Sequence, residues 1–407
     1  MSVNSYLITK NSKDCSGCGA CAFACPTNAI DMREDCYGFA YPEIDASKCI
    51  HCNKCLRSCH MQVCDDLKHS EQLACYGAID NDASSLRESA SGGVATALSR
   101  FTVDAGGVVF GCVADREDVH HERLVDGEGL RRAQGSKYVQ SDLSRVFLSV
   151  ESDLKAGRDV LFVGTPCQCA AMRTLFGKFG NLLTVDLVCE GTPNRRMYRD
   201  FLNSIEKERG EWVTDFRFRD KRGGWSTKNP VVLDKDEMPT GKQPHSYHYY
   251  FYYFFTKALT LRDSCYSCPY ACRERVADVT IGDLWGAETS GLGYGLKELK
   301  AGISCVLVNT EYGRNALDAC ELGLKSCSFD TIARSNHCLE KPSVCNKELR
   351  SRVLEAYARD GADGMIGEYE EIFSKTSRIK ARIIAGLPLT VRIFLKRLKT
   401  TIREGGR

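Results

Sequence analysis

The sequence predicts a chain of the α/β class (α+β overall). A small cysteine-rich N-terminal module should come first, then a larger α/β domain on a mostly parallel sheet, then a helical, basic C-terminal tail. Three observations predict it. Residues 15–59 hold a cysteine run that occurs twice with the same offsets. The apolar runs Val160–Val163 and Leu182–Val188 end in turn residues and flank a helix-length stretch, Gln168–Phe176, which is a βαβ pattern with a buried sheet. Residues 374–407 carry ten Lys or Arg against the single acid Glu404, with apolar residues at helical spacing. A chain of 407 residues is too long for one core and suits two or three domains.

The cysteine run comes first in the chain. Cys15, Cys18, Cys21 and Cys25 form C-x2-C-x2-C-x3-C, and Cys49, Cys52, Cys55 and Cys59 repeat it. Three thiolates two residues apart can wrap one corner of a cluster, and the fourth points elsewhere. In two-cluster ferredoxins that fourth Cys ligates the other cluster. The spacing therefore assigns Cys15, Cys18, Cys21 and Cys59 to one 4Fe-4S cluster, and Cys49, Cys52, Cys55 and Cys25 to a second. Zinc sites also use C-x2-C pairs but seldom three close Cys plus a fourth, repeated. A disulfide framework does not suit a chain of this size without a secretion signal. The stretch resembles bacterial two-cluster ferredoxins over almost its whole length. It departs from its own first half at His60, which follows Cys59 where Pro26 follows Cys25. That residue bears only on loop stiffness.

Further on, Asp35–Phe39 reads as a short hairpin turn and Cys36 as a packed thiol. Residues 65–72, DDLKHSEQ, read as a linker. Ser91-Gly92-Gly93 leads into a helical pattern, so it marks a helix N-terminus with exposed N–H groups. That is either a phosphate seat or an ordinary Ser cap. Gln134–Val139 joins Gly135, Ser136, Lys137 and Tyr138, a set that suits a flavin's phosphates and ring or equally a turn into a strand. Val108–Val113, Val279–Gly282 and Ile303–Val308 read as strands. Gly164-Thr165-Pro166-Cys167 and Cys189-Glu190-Gly191 fall just past strand ends, where open α/β sheets bind ligands. The aromatic run Tyr247–Phe255 reads as a buried helix. Cys265 and Cys268 add a C-x2-C pair, so with Cys167 and Cys189 there are four further thiolates. Cys64 and Cys272 remain alternatives for that set.

The balance of the chain excludes some functions. A net charge of +2 argues against general nucleic-acid binding. No run of eighteen apolar residues occurs, and MSVNSYLITK lacks an apolar leader, so a cytoplasmic protein is expected. Twenty-three Cys suit a reducing compartment. In the tail, Ile379, Ile383, Val391, Leu395, Leu398 and Ile402 form an apolar stripe, and Gly386 and Pro388 divide it into two helices. Such a segment either lies peripherally on the inner membrane surface or packs on its own domain with a solvated basic face.

With GTPCQ at 164–168, DLVCEG at 186–191, RDSCYSC at 262–268 and ADVTIGDLWG at 277–286, residues 75 to about 335 resemble the coenzyme F420 hydrogenase/dehydrogenase beta-subunit family. SGG at 91–93 and GSKY at 135–138 belong to the likeness. It implies an N-terminal bacterial-type dicluster ferredoxin domain over 1–67, then an α/β flavoprotein domain in two segments, 73–152 (flavin-binding) and 153–345 (iron–sulfur and flavin). A helical basic tail, 346–407, follows. It also implies an FAD- and 4Fe-4S-dependent oxidoreductase moving electrons between clusters, FAD and a hydride carrier or organic substrate. Some members lie beside polysaccharide-synthesis genes. Ser91, Gly92, Gly93, Gly135, Ser136, Lys137, Tyr138, Gly164, Thr165 and Pro166 would line the flavin site. Cys167, Cys189, Cys265 and Cys268 would hold a third 4Fe-4S cluster. The implied partner is a ferredoxin, a hydrogenase or dehydrogenase subunit, or an F420-like hydride carrier. An electron-transfer subunit without its own substrate is the alternative.

Overall fold

Twelve strands carry the architecture: β1 (Ile30–Glu34), β2 (Ala40–Ile44), β3 (Ala74–Asp80), β4 (Val108–Asp115), β5 (Asp118–Leu124), β6 (Val160–Gly164), β7 (Leu182–Leu187), β8 (Asp215–Asp220), β9 (Asn229–Leu233), β10 (Val279–Asp283), β11 (Ser304–Val308) and β12 (Leu322–Ser326). They come from a computed structural model that describes residues 5–374 apart from 70, 222–223, 226–228, 237 and 240–247. Beyond 374 it describes only 376, 377, 379, 383, 387 and 391. The basic tail expected over 374–407 therefore lies almost wholly outside the described residues.

The N-terminal module repeats in backbone as it does in sequence. Gly17 and Gly19 have φ of 69° and 79°, and His51 and Asn53, at the same offsets in the second half, have φ of 54° and 57°. Left-handed residues at these points turn the chain around the sulfurs, so that the Gly17 N–H reaches Cys15 Sγ at 3.3 Å. The first half meets the requirement with glycine; the second uses residues that tolerate the region at some cost. Short helices, Ala20–Phe23 and Lys54–Arg57, follow the two loops. β1 and β2 form the expected hairpin, with Asp35 Oδ1 accepting from the N–H groups of Tyr37 and Phe39 at 2.9 Å each.

The second body is one eight-stranded sheet in the order β12-β3-β11-β10-β7-β6-β4-β5. Its centre, β10-β7-β6-β4, is parallel, and both flanks are antiparallel. β6, the helix Pro166–Phe176 and β7 make the expected crossover. β3, β4 and β5 pair into the same sheet as the later strands, so one sheet spans both segments. The antiparallel flanks β3, β5 and β12 had no clear signature, because their apolar residues are interrupted by His, Gly and charge. In the helix Lys347–Ile372, Val353, Leu354, Tyr357, Met365 and Tyr369 are buried. They pack in one apolar cluster with the helices Arg195–Arg209 and Tyr250–Thr256 and strand β8. The aromatic run is indeed a buried helix from Tyr250.

The N-terminal module is seated on this body. Phe23 stacks on Phe147 at 5.0 Å and meets Phe176 edge-on, and Ala20 is fully buried in the same cluster. The stretch read as a linker is pinned: the His69 N–H donates to Arg275 O, and Arg173 reaches His69 Nε2 at 2.7 Å. Among the described residues no helix is long and apolar enough to cross a membrane.

Candidate redox site

Three groups of thiols stand together. Burial pushes the Cys18 thiol up to about 12, and it lies in the field of Cys15 and Cys59. Burial likewise raises Cys21 well above its usual range, with Cys18, Cys15 and Cys59 adding to it. Cys55 lies in the field of Cys25 and Cys52. The fourth Cys of each run thus lies near the opposite run. Burial and the neighbouring Cys265 and Cys167 push Cys189 well above its usual range, and Cys268 is near Cys167 and Cys265. Cys167, Cys189, Cys265 and Cys268 line one cavity of about 50 Å³. Cys64 and Cys272 are not in that lining; both lie beside Lys68. No three His, Cys, Asp or Glu among the described residues close on a single ion. A cubane spreads its thiolates over four iron atoms, whereas a zinc ion gathers all of its ligands on one centre.

Each of these thiols is placed by a specific local device. Cys167 is the second residue of the helix Pro166–Phe176. Gln168 Oε1 accepts from the Thr165 N–H at 3.0 Å and so fixes the turn. Cys189 follows β7 and lies beside Gly191, where φ is 118° and a Cβ would meet Cys265 Cβ at 3.0 Å. Cys265 and Cys268 sit in and at the end of the short helix Asp263–Ser267, which begins after Arg262.

The N-terminal module meets the third group through residues that spacing does not reveal. His60 is 1% exposed. Its Nε2 lies 2.8 Å from Ser16 Oγ and its Nδ1 2.7 Å from the Tyr270 hydroxyl. One bridge therefore joins Ser16 and His60, beside Cys15 and Cys59, to Tyr270, two residues after Cys268. Burial pushes the His60 pKa down to about 4, so the ring is neutral. Its departure from the Pro26 position was the available signal. Arg262, also buried, reaches Cys15 O at 3.3 Å.

A larger cavity of about 320 Å³ opens at the carboxyl ends of the parallel strands. Ser91, Gly93, Gly135, Ser136, Lys137, Tyr138, Gly164 and Thr165 line it. Gly92 and Pro166 do not. Gly92 is packed against β3 and β11, where a Cβ would sit 2.2 Å from Ala78 O, and Pro166 lines the smaller cavity. The two cavities share a wall that includes Ser141, Thr165, Gln168, Cys189 and Gly191. Within it Gln168 Nε2 donates to Ser141 Oγ at 2.8 Å, and Ser141 donates to His121 Nδ1 at 2.9 Å. The other ring nitrogen, Nε2–H, donates to Val163 O at 2.9 Å. Burial pushes the His121 pKa down to about 4, which keeps that tautomer neutral.

The cavity's ends differ in chemistry. At one, Gly93 (φ 85°) precedes the helix Val94–Asp104 with no side-chain cap, and Val94, Ala95 and Thr96 of its first turn line the cavity. Lys137 Nζ donates there to Arg132 O at 3.0 Å and Gln134 O at 2.8 Å, and burial pulls its pKa down. At another, Trp285 stacks on Trp225 at 5.1 Å and 6°. Asp283, which also lines the cavity, holds Arg219 at 2.7 Å and accepts from Trp225 Nε1 at 2.8 Å. Tyr138, stacked on Phe255 at 4.7 Å, adds a further aromatic wall. An uncapped helix start, a nearby ammonium and flat aromatic walls fit the phosphates and ring of a dinucleotide.

Two family models match parts of the chain. Residues 157–325 match the family model for the C-terminal part of the coenzyme F420 hydrogenase/dehydrogenase beta subunit, and residues 14–63 match that of the 4Fe-4S dicluster domain. No curated protein matches. Among solved structures, the chain is similar to one from the F420-reducing NiFe hydrogenase complex of Methanosarcina barkeri. The identity is 17% and the TM-score 0.42, over 75% of this chain and 94% of that one. Iron–sulfur clusters and an electron-transfer or oxidoreductase role follow from the two family matches. The likeness to the coenzyme F420 hydrogenase/dehydrogenase beta-subunit family therefore holds over residues 157–325, behind a 4Fe-4S dicluster domain at residues 14–63.

Proposed function

We propose that this is an iron–sulfur flavoprotein oxidoreductase in which three clusters lead to an FAD site. The carrying observation is the shared wall: the cavity lined by Cys167, Cys189, Cys265 and Cys268 abuts the larger cavity through Cys189, Gly191 and Thr165. Cys15, Cys18, Cys21 and Cys59 would hold one 4Fe-4S cluster, Cys25, Cys49, Cys52 and Cys55 the second, and the four sheet-end thiolates the third. When bound, clusters pass single electrons and a flavin pairs them into a hydride equivalent. The chain's own residues orient and insulate. The N–H groups after Gly93 and the Lys137 ammonium would receive the diphosphate. Trp285 and Tyr138 would wall the ring. Neutral His121 and Gln168 hold the intervening wall without adding charge. A deazaflavin-type hydride carrier such as F420 is the partner proposed for that flavin.

A second reading, an electron-transfer subunit feeding another chain, is favoured by one feature. Ile50, between Cys49 and Cys52, is 62% exposed, and its neighbours His51, Lys54 and Arg57 are exposed as well. A partner protein would reach the outer cluster there. Anaerobic purification followed by iron, sulfide and flavin analysis, then reduction by reduced ferredoxin, F420H2 and NADH, tests both readings. Flavin binding with hydride-carrier turnover supports the enzyme. A protein that loads clusters but takes up no FAD on reconstitution sinks the flavoprotein.

A further inference from the structure

Three arginines are almost fully buried: Arg219 at 8%, Arg262 at 2% and Arg275 at 1% exposure. Two of them face carboxylates. Arg219 pairs with Asp283 at 2.7 Å and Arg275 with Asp186 at 3.1 Å. Arg262 differs. Its Nε donates to Gln140 Oε1 at 3.1 Å, its Nη1 to Cys15 O at 3.3 Å and its Nη2 to Ala40 O at 2.9 Å. The faces of Tyr41 and Phe39 lie 4.8 and 5.4 Å from it. The adjacent Asp263 is engaged by Arg350 at 2.7 Å and by Ser12. No ion pair to Arg262 occurs among the described residues. A buried cation that meets only neutral acceptors is costly unless an anion shares the site.

Its position says which anions. The Arg262 main chain belongs to the sheet-end site: its N–H donates to Thr192 O at 3.0 Å, and its carbonyl accepts from the Cys265 N–H at 3.0 Å. Its side chain belongs to the N-terminal module, lying against Gly17 and the Cys15 carbonyl, where the absence of a Cβ on Gly17 gives it room. The guanidinium acts electrostatically on Cys15, Cys167 and Cys265, one thiol of the first group and two of the third. A 4Fe-4S cluster with four thiolates is anionic and gains a further negative charge on reduction.

We propose that Arg262 is the shared counter-ion of the two inner clusters, held by Cys15, Cys18, Cys21 and Cys59 and by Cys167, Cys189, Cys265 and Cys268. Its charge stabilises their reduced forms, so it raises both midpoint potentials and leaves the outer cluster of Cys25, Cys49, Cys52 and Cys55 unaffected. This rests on the three-cluster reading above. It adds a link that spacing could not supply: one side chain electrostatically couples two sites brought by separate parts of the chain.

The test is an EPR-monitored redox titration of the full-length, anaerobically reconstituted protein as wild type, Arg262→Gln and Arg262→Lys. Iron and sulfide are counted in each sample, and a Cys52→Ser protein identifies the outer cluster's signal. The expected result for Arg262→Gln is a lower potential for both inner clusters with the outer one unmoved, and for Arg262→Lys potentials near wild type. A loaded Arg262→Gln protein with unchanged potentials overturns the inference, as does an equal shift of all three clusters. If Arg262→Gln does not load its inner clusters, Arg262→Lys decides. Loading with near-wild-type potentials supports the charge role, and equal failure to load overturns it. Wild-type protein with about eight irons rather than about twelve, at four per cluster, overturns the three-cluster reading itself and the inference with it. Twelve irons with unmoved potentials overturns the inference alone.

Discussion

The outer thiol group and the two inner ones sit in opposite surroundings, although the outer group and one inner group come from a single duplicated sequence. At Cys25, burial is the largest single influence and raises the thiol, but the N–H groups of Ala29, Thr27 and Asn28 and the Thr27 hydroxyl together outweigh it, and the pKa falls. Around it Ile50, His51 and Lys54 are exposed. At Cys21 and Cys189, burial dominates, and each thiol rises well above its usual range. The outer site is therefore built to be reached and the inner sites to be insulated. Insulated anions need internal compensation, and Arg262 stands where it would be provided. Duplication gave two equal ligand sets; the packing of one against the α/β body made them unequal.

The largest expected effect separates the two groups. Cys18→Ser should lose about four irons per chain and abolish electron passage from an external carrier to the larger cavity. Cys52→Ser should lose the same amount of iron, yet leave the inner groups reducible by a small reagent such as dithionite. Iron analysis with stopped-flow reduction checks this, and identical kinetic behaviour of the two variants would erase the distinction.

Next comes the cavity. Gly93 has φ of 85°, and a Cβ there would lie 2.8 Å from Asp80 Cβ. Any side chain at such a position costs about 1–3 kcal/mol of backbone strain. Gly93→Asp sets a second carboxylate against Asp80 at the start of the helix whose N–H groups should meet phosphate, so flavin affinity should fall by about a hundredfold or more. Gly93→Ala, carrying strain without charge, should fall less. Fluorescence titration with FAD measures both, and equal losses would show that charge plays no part.

A smaller effect follows from His121, whose folded pKa of about 4 lies below the ordinary 6.5. Between these values the unfolded chain binds a proton that the folded one refuses. His121 therefore contributes stability above pH 6.5 that is lost as pH falls toward 4, at about 1.4 kcal/mol per unit. Urea unfolding at pH 6.5 and 5.5 should show this drop in wild type and a shallower one in His121→Gln. Parallel behaviour would place the ring elsewhere than in the buried wall. Least of all, Lys137→Gln should weaken FAD binding about tenfold, since one partly buried charge contributes on the order of 1 kcal/mol at a helix start. An unchanged affinity would remove Lys137 from the diphosphate site.

Local chemistry determined how much of this was legible. The cysteine offsets made the ferredoxin module readable because ligand geometry acts over a few residues. The parallel centre of the sheet was readable because strands buried on both faces are continuously apolar. β3 and β12 were not, since Gly77 and Gly323 break their patterns and their pairing is decided by distant partners. Motif residues marked the cavity well. Gly92 shows the limit: it belongs to the motif but serves close packing of the chain against β11, while its neighbours face the lining. His60, Tyr270 and Arg262 were illegible as a junction because residues up to 247 apart in sequence meet there only after the modules dock.

The central claim is one continuous circuit, and the third thiol group decides it. The direct measurement is iron and sulfide per chain in anaerobically reconstituted wild type and Cys268→Ala, each then followed for electron transfer into bound FAD. The account predicts about twelve irons falling to about eight, with transfer to FAD lost. A Cys268→Ala protein that keeps all of its iron and still reduces the flavin would contradict it.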